Sequence, residues 1–255
     1  MTHAHAHNHA RARSFGGAAD AYDRLRPAPS PEALAWVLPP GTSRVLDLGA
    51  GTGLVARAVV AAGVDDVVAV EPDDRMRAHL AAASPGVRAL AGTAEEIPLP
   101  DGSVDAVLAA SAWHWFDAER ATAEIARVLR PGGVLGLLWS YADPATPWVA
   151  AARAIGRVEQ HGSAPLAASG FAVELPPGAP FGPGETHRFP RTAPMTREDI
   201  AGMVGTYSSV LTLPQLEQDD VRRRVLSLLD ERPELGDADP VEVPFSTTAW
   251  RAVRR

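Results

Sequence analysis

The chain has 255 residues, 46% of them hydrophobic and 22% charged, with a formal net charge of -7. It has no cysteine, and all 24 of its basic residues are arginine. This excludes disulfides, thiolate nucleophiles and Cys-ligated metals, and the missing lysine excludes Schiff-base chemistry and a P-loop.

The acid excess argues against a nucleic-acid partner, which calls for a basic face. Arginines gather only at 222–224 and 251–255, where a solvated face and a chain end explain them. No apolar run reaches the roughly 18 residues that span a bilayer, and the N-terminus lacks the apolar centre of a secretory signal. The expected setting is the cytoplasm, with no membrane partner.

In chain order, residues 1–13 read as a disordered tail. His3, His5, His7 and His9 alternate there with small residues, a tract that either binds a transition metal adventitiously or has no function. Residues 14–40 read as an N-terminal arm. It contains a short helix closed by prolines and a second helix over 31–38, capped by Ser30 and stopped by Pro39, Pro40 and Gly41.

From 41 onward, apolar strands alternate with helices. Strands are expected at 44–48, 66–71, 87–91, 104–110 and 134–139. Helices are expected at 53–62, 73–83 and 117–129, the first ended by Gly63. Such alternation indicates βαβ units around a parallel sheet, with helices on both faces. The strands are apolar almost throughout, as strands buried on both sides are.

After Trp139 the pattern weakens. A helix is expected over 144–160, a loop or lid over 161–184 and a strand over 185–192 that Pro190 interrupts. Helices follow at 196–206, capped by Thr196, and at 218–229, and a terminal strand at 241–253 brings the total to seven. The expected class is therefore α/β. The sheet is doubly wound, mostly parallel and Rossmann-like, with a core over 41–142 and lid insertions and last strands over 143–255.

Residues 45–53, VLDLGAGTG, carry the chemistry. A strand ends at Leu48, and Gly49, Gly51 and Gly53 follow at alternate positions before a helix. Glycines belong where backbone turns sharply or approaches a ligand, and strand carboxyl ends are where open α/β sheets bind them. A dinucleotide site has G-x-G-x-x-G and rests a pyrophosphate on the helix. Here the spacing is G-x-G-x-G behind Asp47, an acid that repels a pyrophosphate and suits an ammonium or sulfonium group. Glu71 ends the second strand, 18 residues after Gly53, where a carboxylate can accept both hydroxyls of a ribose. That feature fits either a dinucleotide or S-adenosylmethionine.

The sequence resembles the class I S-adenosylmethionine-dependent methyltransferases of the type 11 kind. It is most similar to the branch with trans-aconitate methyltransferase-like and quinone-biosynthesis enzymes. The likeness rests on 45–53, on VAVEPDDRMR (68–77), on GTAEEIPLPDGSVDAVLAASAWHWF (92–116) and on IARVLRPGGVLGLLW (125–139). FGGAADAYDRLRP (15–27) and TYSSVLTLP (206–214) extend it over most of the chain.

The resemblance implies a cofactor site of Asp47, Gly49, Ala50, Gly51, Gly53, Glu71, Pro72, Thr93, Ala94, Glu95, Ser111 and Tyr22. Asp47, Gly49 and Gly51 would line the methionine end and Glu71 the ribose. Where the family's third motif often places Asp, this chain has Thr93, which brings no charge to the adenine.

On the acceptor side, His114 lies in SAWHWF (111–116), as either a general base or a residue packing the next helix. Arg26 either binds an acidic substrate or anchors the arm. Trp113, Trp115, Trp139, Tyr141 and Tyr207 either line an acceptor pocket or pack ordinarily.

The expected activity is in-line methyl transfer from S-adenosylmethionine to a small-molecule acceptor, by a monomer or homodimer and without metal. The alternatives are a non-methylating protein that binds the same cofactor and, behind it, an NAD(P)-dependent oxidoreductase.

Overall fold

The computed structural model describes residues 19–156 and 173–255. The His-rich tail, the start of the arm, the end of the helix expected over 144–160 and the first half of the loop expected over 161–184 lie outside those residues.

Among the described residues, seven strands form one sheet in the order β3-β2-β1-β4-β5-β7-β6. They are β1 (Arg44–Leu48), β2 (Asp66–Val70), β3 (Arg88–Leu90), β4 (Val104–Ala110), β5 (Leu129–Ala142), β6 (Glu185–Met195) and β7 (Val241–Val253). The first five run parallel, while β7 is antiparallel to both β5 and β6. This is the doubly wound, mostly parallel α/β sheet that the alternating pattern implies. The order reverses between β1 and β4, which leaves a crevice beyond their carboxyl ends.

Helices cover both faces. On one, α2 (Pro31–Val37), α3 (Leu54–Ala61) and α4 (Asp74–Ala83) bury Leu34, Val59 and Leu80 against Val45, Val67 and Leu108. On the other, α5 (Ala118–Val128) buries Ala121, Ile125 and Val128 against Leu46, Val107 and Leu135. Each large aliphatic side chain so buried contributes about 1.5–3 kcal/mol. Capping follows the sequence: Ser30, Asp73, Asp117 and Thr196 each accept an amide from the first turn that they precede.

A second core joins α1 (Ala19–Leu25), α6 (Pro147–Ile155), α7 (Arg197–Gly205), α8 (Ser208–Leu211) and α9 (Gln215–Asp230) to one end of β7. It surrounds Trp148, Ile200, Val225 and Phe245. In this way α1 packs between α7 and α4.

Several boundaries differ from expectation, three of them as follows. β6 continues through Pro190 and Pro194 to Met195 because it is the last strand of the sheet, where a proline need not donate to a neighbour. β5 begins five residues early, at Leu129, since Leu129 pairs with Val104 before the register shifts and resumes at Val134 with Ala106. α9 begins at Gln215, directly after Pro214.

Candidate active site

The crevice opens where three strand ends meet. Behind β1 the chain turns at Gly49, whose amide donates to Val70 O at 2.9 Å, and Ala50 donates to the same oxygen at 3.1 Å. Gly51 follows at φ 57°, and a side chain there would meet open space. The turn thus offers bare backbone to the crevice, a conformation that L side chains rarely adopt.

Two acids frame this turn. Asp47 is 1% exposed, and its Oδ2 accepts the Ala56 amide of α3 at 2.9 Å. Burial, with the nearby charge of Glu71 adding to it, pushes its pKa up to about 7 against the pull of that amide. Glu71 directly follows β2, where its Oε2 accepts Gly51 N at 2.8 Å and its Oε1 accepts Asp73 N at 2.9 Å. Burial raises the Glu71 pKa and the charge of Asp73 adds to this, while the two amides oppose it.

The crevice has two joined halves. One, with an empty volume of about 840 Å³, is lined by Gly49, Gly51, Glu71, Pro72, Thr93, Ala94, Glu95 and Ser111. Its apolar walls come from Val70, Met76, Ala112, Trp115 and Phe116. The other half, about 550 Å³, takes in Asp47, Ala50, Thr52, Leu54 and Ser140, with Arg26, Pro27 and Pro29 from the arm. Tyr22, Gly49, Gly51, Ala110 and Ser111 border both.

Ser111 has φ 51°, and among the described residues it is the non-glycine residue with a positive φ. Its amide donates to Leu138 O at 2.8 Å, which holds it at the mouth between β4 and β5. Backbone held in this region costs about 1–3 kcal/mol, and such strain concentrates at ligand sites.

The arm crosses the crevice on α1. Arg26 Nε donates to Thr206 Oγ1 at 2.8 Å and Nη2 to Thr206 O at 3.0 Å. Its guanidinium lies 5.2 Å from the Tyr22 ring centroid and 4.8 Å from that of Tyr207. Tyr22 and Arg26 therefore border the crevice, while Tyr207 braces Arg26 and packs with the second core.

Other expected residues stand elsewhere. Gly53 caps α3 and lies against Leu80 rather than on the crevice lining. His114 sits in a short 3-10 turn, Trp113–Trp115, its ring tilted at 43° to that of Trp115 with centroids 4.6 Å apart, and off the lining of both halves. Its residue surface is exposed, yet crowding of the ring by protein lowers its pKa. Trp113 packs edge-on to Phe116. Trp139 is 7% exposed in the core, and the Tyr141 hydroxyl meets Thr248 Oγ1 at 3.0 Å.

Met76, Ala112 and Phe116 border the crevice without having been singled out, because an apolar pocket wall reads in sequence like core. Among the described residues, no group of three or more His, Cys, Asp or Glu is placed to hold a metal. Nor is any helix there long and apolar enough to cross a membrane.

Comparison with known proteins agrees with this geometry. Residues 46–137 match the family model described as a methyltransferase domain. An uncharacterized methyltransferase of Mycobacterium tuberculosis is 44% identical over 239 residues, 94% of this chain and 95% of the relative. A methyltransferase-like protein of Schizosaccharomyces pombe is 34% identical over 82% of this chain and 81% of its own length. Among solved structures, a candidate type II methyltransferase from Anaeromyxobacter dehalogenans superposes with a TM-score of 0.67 at 25% identity, over 90% of this chain and 97% of its own.

Proposed function

The chain belongs to the S-adenosylmethionine-dependent methyltransferase family, and on that premise we propose that its crevice binds S-adenosylmethionine and positions a small-molecule acceptor for in-line methyl transfer. One observation carries the assignment of the site: Asp47 already occupies the first turn of α3, accepting the Ala56 amide. A dinucleotide would rest its pyrophosphate on such a helix end. Here the end holds a carboxylate instead, so the site favours a cation and resists a diphosphate.

The residues present fit the cofactor. Glu71 keeps a second lone pair on each oxygen beyond its two amide bonds, enough to accept two ribose hydroxyls. Val70, Met76, Trp115 and Phe116 give the apolar walls that a purine base needs. Thr93 and Glu95 supply polar groups at the rim, and Pro72 and Ala94 complete the wall. Gly49, Ala50, Gly51 and Ser111 face the methionine side beside Asp47. When bound, the sulfonium supplies a methyl group already activated toward a nucleophile.

What the chain adds is placement. Asp47, Glu71 and Glu95 make the crevice acidic and so favour a positive ligand. Tyr22 and Arg26 close it from above, and Arg26, its donors only partly used by Thr206, suits an anionic group on the acceptor or the cofactor. Holding two reactants in line is worth about 7–11 kcal/mol, so the reaction proceeds without a dedicated base when the acceptor arrives as a nucleophile. His114 serves as base only if a rearrangement brings it inward from its place off the lining.

The test is calorimetric titration of the protein with S-adenosylmethionine and, separately, with NAD. The reading expects saturable binding of the first and none of the second. Binding of NAD alone overturns it. A non-methylating role is distinguished by incubation with labelled cofactor and candidate acceptors, in which no label would move.

A further inference from the structure

Two sides of α1 are fastened differently. Toward α7 it is held by Arg26 on Thr206 and by the Arg24–Asp199 ion pair. Toward the glycine turn it is held through Asp23. That carboxylate pairs with Arg57 of α3 and lies 3.6 Å from His79 Nε2 on α4. Arg57 in turn donates to Thr52 O at 2.8 Å and to Ser84 Oγ at 3.3 Å. Asp23 therefore connects the arm to the loop that forms the floor of the crevice, one residue from Tyr22.

His79 makes this connection depend on a proton. Its Nδ1 is 3.0 Å from Asp20 Oδ1, and its Nε2 faces Asp23. Both ring nitrogens thus point at carboxylates of the same short helix. A neutral imidazole donates from one nitrogen only, whereas the imidazolium donates from both. The charged groups around it are Asp20 and Asp23 from α1, Arg57 from α3 by way of Asp23, and Arg75 one turn earlier on its own helix. The ring is 21% exposed and Asp23 23%, whereas Asp20 is 98% exposed, so solvent screens the Asp23 contact less than the Asp20 contact.

We propose that Asp23 is a positioning residue for methyl transfer, latching the arm that carries Tyr22 and Arg26 onto the glycine turn, and that protonation of His79 tightens the latch. The protonated ring donates to both carboxylates, so the arm closes more firmly as pH falls and loosens as it rises. Its role in catalysis rests on the crevice being the reaction site, but the latch itself exists without ligand and is tested without one.

The experiment is hydrogen–deuterium exchange of the unliganded full chain at pH 5.5 and pH 8, corrected for intrinsic exchange. It reads α1 (Ala19–Leu25), with α5 (Ala118–Val128) as the reference for global stability. The expected result is a loss of α1 protection, relative to that of α5, of threefold or more at pH 8. His79→Gln abolishes the pH difference and Asp23→Asn lowers α1 protection at both values, while α5 protection shows that both variants are folded. The ratio of the S-adenosylhomocysteine release rate in the wild type to that in His79→Gln would then be higher at pH 8 than at pH 5.5. Equal α1 protection at both pH values, or the same pH response in His79→Gln, overturns the proposal. Failure of the protein to bind S-adenosylmethionine would overturn the functional reading and leave the exchange result standing.

Discussion

Glu71 Oε2 accepts the Gly51 amide at 2.8 Å, which ties the end of β2 to the turn behind β1. The bond joins the two sequence features that point to a nucleoside, the acid closing the second strand and the glycine turn after the first. It sets the turn's shape before any ligand arrives, so less ordering remains to be done on binding.

Removing that carboxylate removes both the brace and the acceptor for ribose hydroxyls. Glu71→Ala is expected to weaken S-adenosylmethionine binding at least tenfold, about 1.4 kcal/mol or more. Glu71→Gln recovers part of the loss, since its amide oxygen still accepts. Calorimetric titration of the three proteins checks this, and an unchanged affinity in Glu71→Ala removes the residue from the site.

Asp47 links binding to pH. Its pKa in the folded, unliganded protein is raised from 3.8 to about 7. The folded form therefore holds a proton that the unfolded chain has lost, so this group's contribution to stability declines as pH rises from about 4 to about 7. A cation in the crevice favours the carboxylate, so affinity for S-adenosylmethionine should increase with pH through neutrality, and binding near pH 7 should release protons. Titrations in two buffers of different ionisation enthalpy measure that release, which Asp47→Asn should suppress.

Ser111 and Gly49 test the backbone. Relieving the φ of 51° by Ser111→Gly is expected to leave stability unchanged or raise it by up to about 1 kcal/mol, while weakening the cofactor's hold. Gly49→Ala should do the opposite to stability. Its φ is 68° and a Cβ there would come within 2.9 Å of Ala112 Cβ, so a cost of about 1 kcal/mol or more is expected. Denaturant unfolding distinguishes the two.

His114 lies off the crevice lining. His114→Gln should therefore change S-adenosylmethionine affinity less than twofold, as measured by the same titration. A tenfold loss would place the ring at the cofactor.

The fold could be read from sequence because its central strands are short apolar runs between glycines and prolines, and their burial on both faces leaves that signature. β4 (Val104–Ala110) and β7 (Val241–Val253) match their expected limits. β5 does not, because Pro131, Gly132 and Gly133 look like a stop while the sheet absorbs them in a register shift. In the crevice, charged and glycine residues such as Asp47, Glu71 and Gly51 announce themselves through motif spacing. Met76, Ala112 and Phe116 do not, since an apolar wall has no local pattern that separates it from core. The contacts of Asp23 with Arg57 and His79 join segments 34 and 56 residues apart, and no periodicity encodes such pairs. His114 shows the limit of proximity in sequence: one residue before Trp115, it is not among the residues that line the crevice with Trp115.

The most direct measurement is a crystal structure of the protein with S-adenosylhomocysteine. The account predicts the nucleoside in the crevice between the β1 turn and the end of β2, with both ribose hydroxyls on Glu71 and the amino-acid end beside Asp47 and Gly51. A crevice left empty at saturating ligand, or the ligand bound elsewhere on the protein, would contradict it.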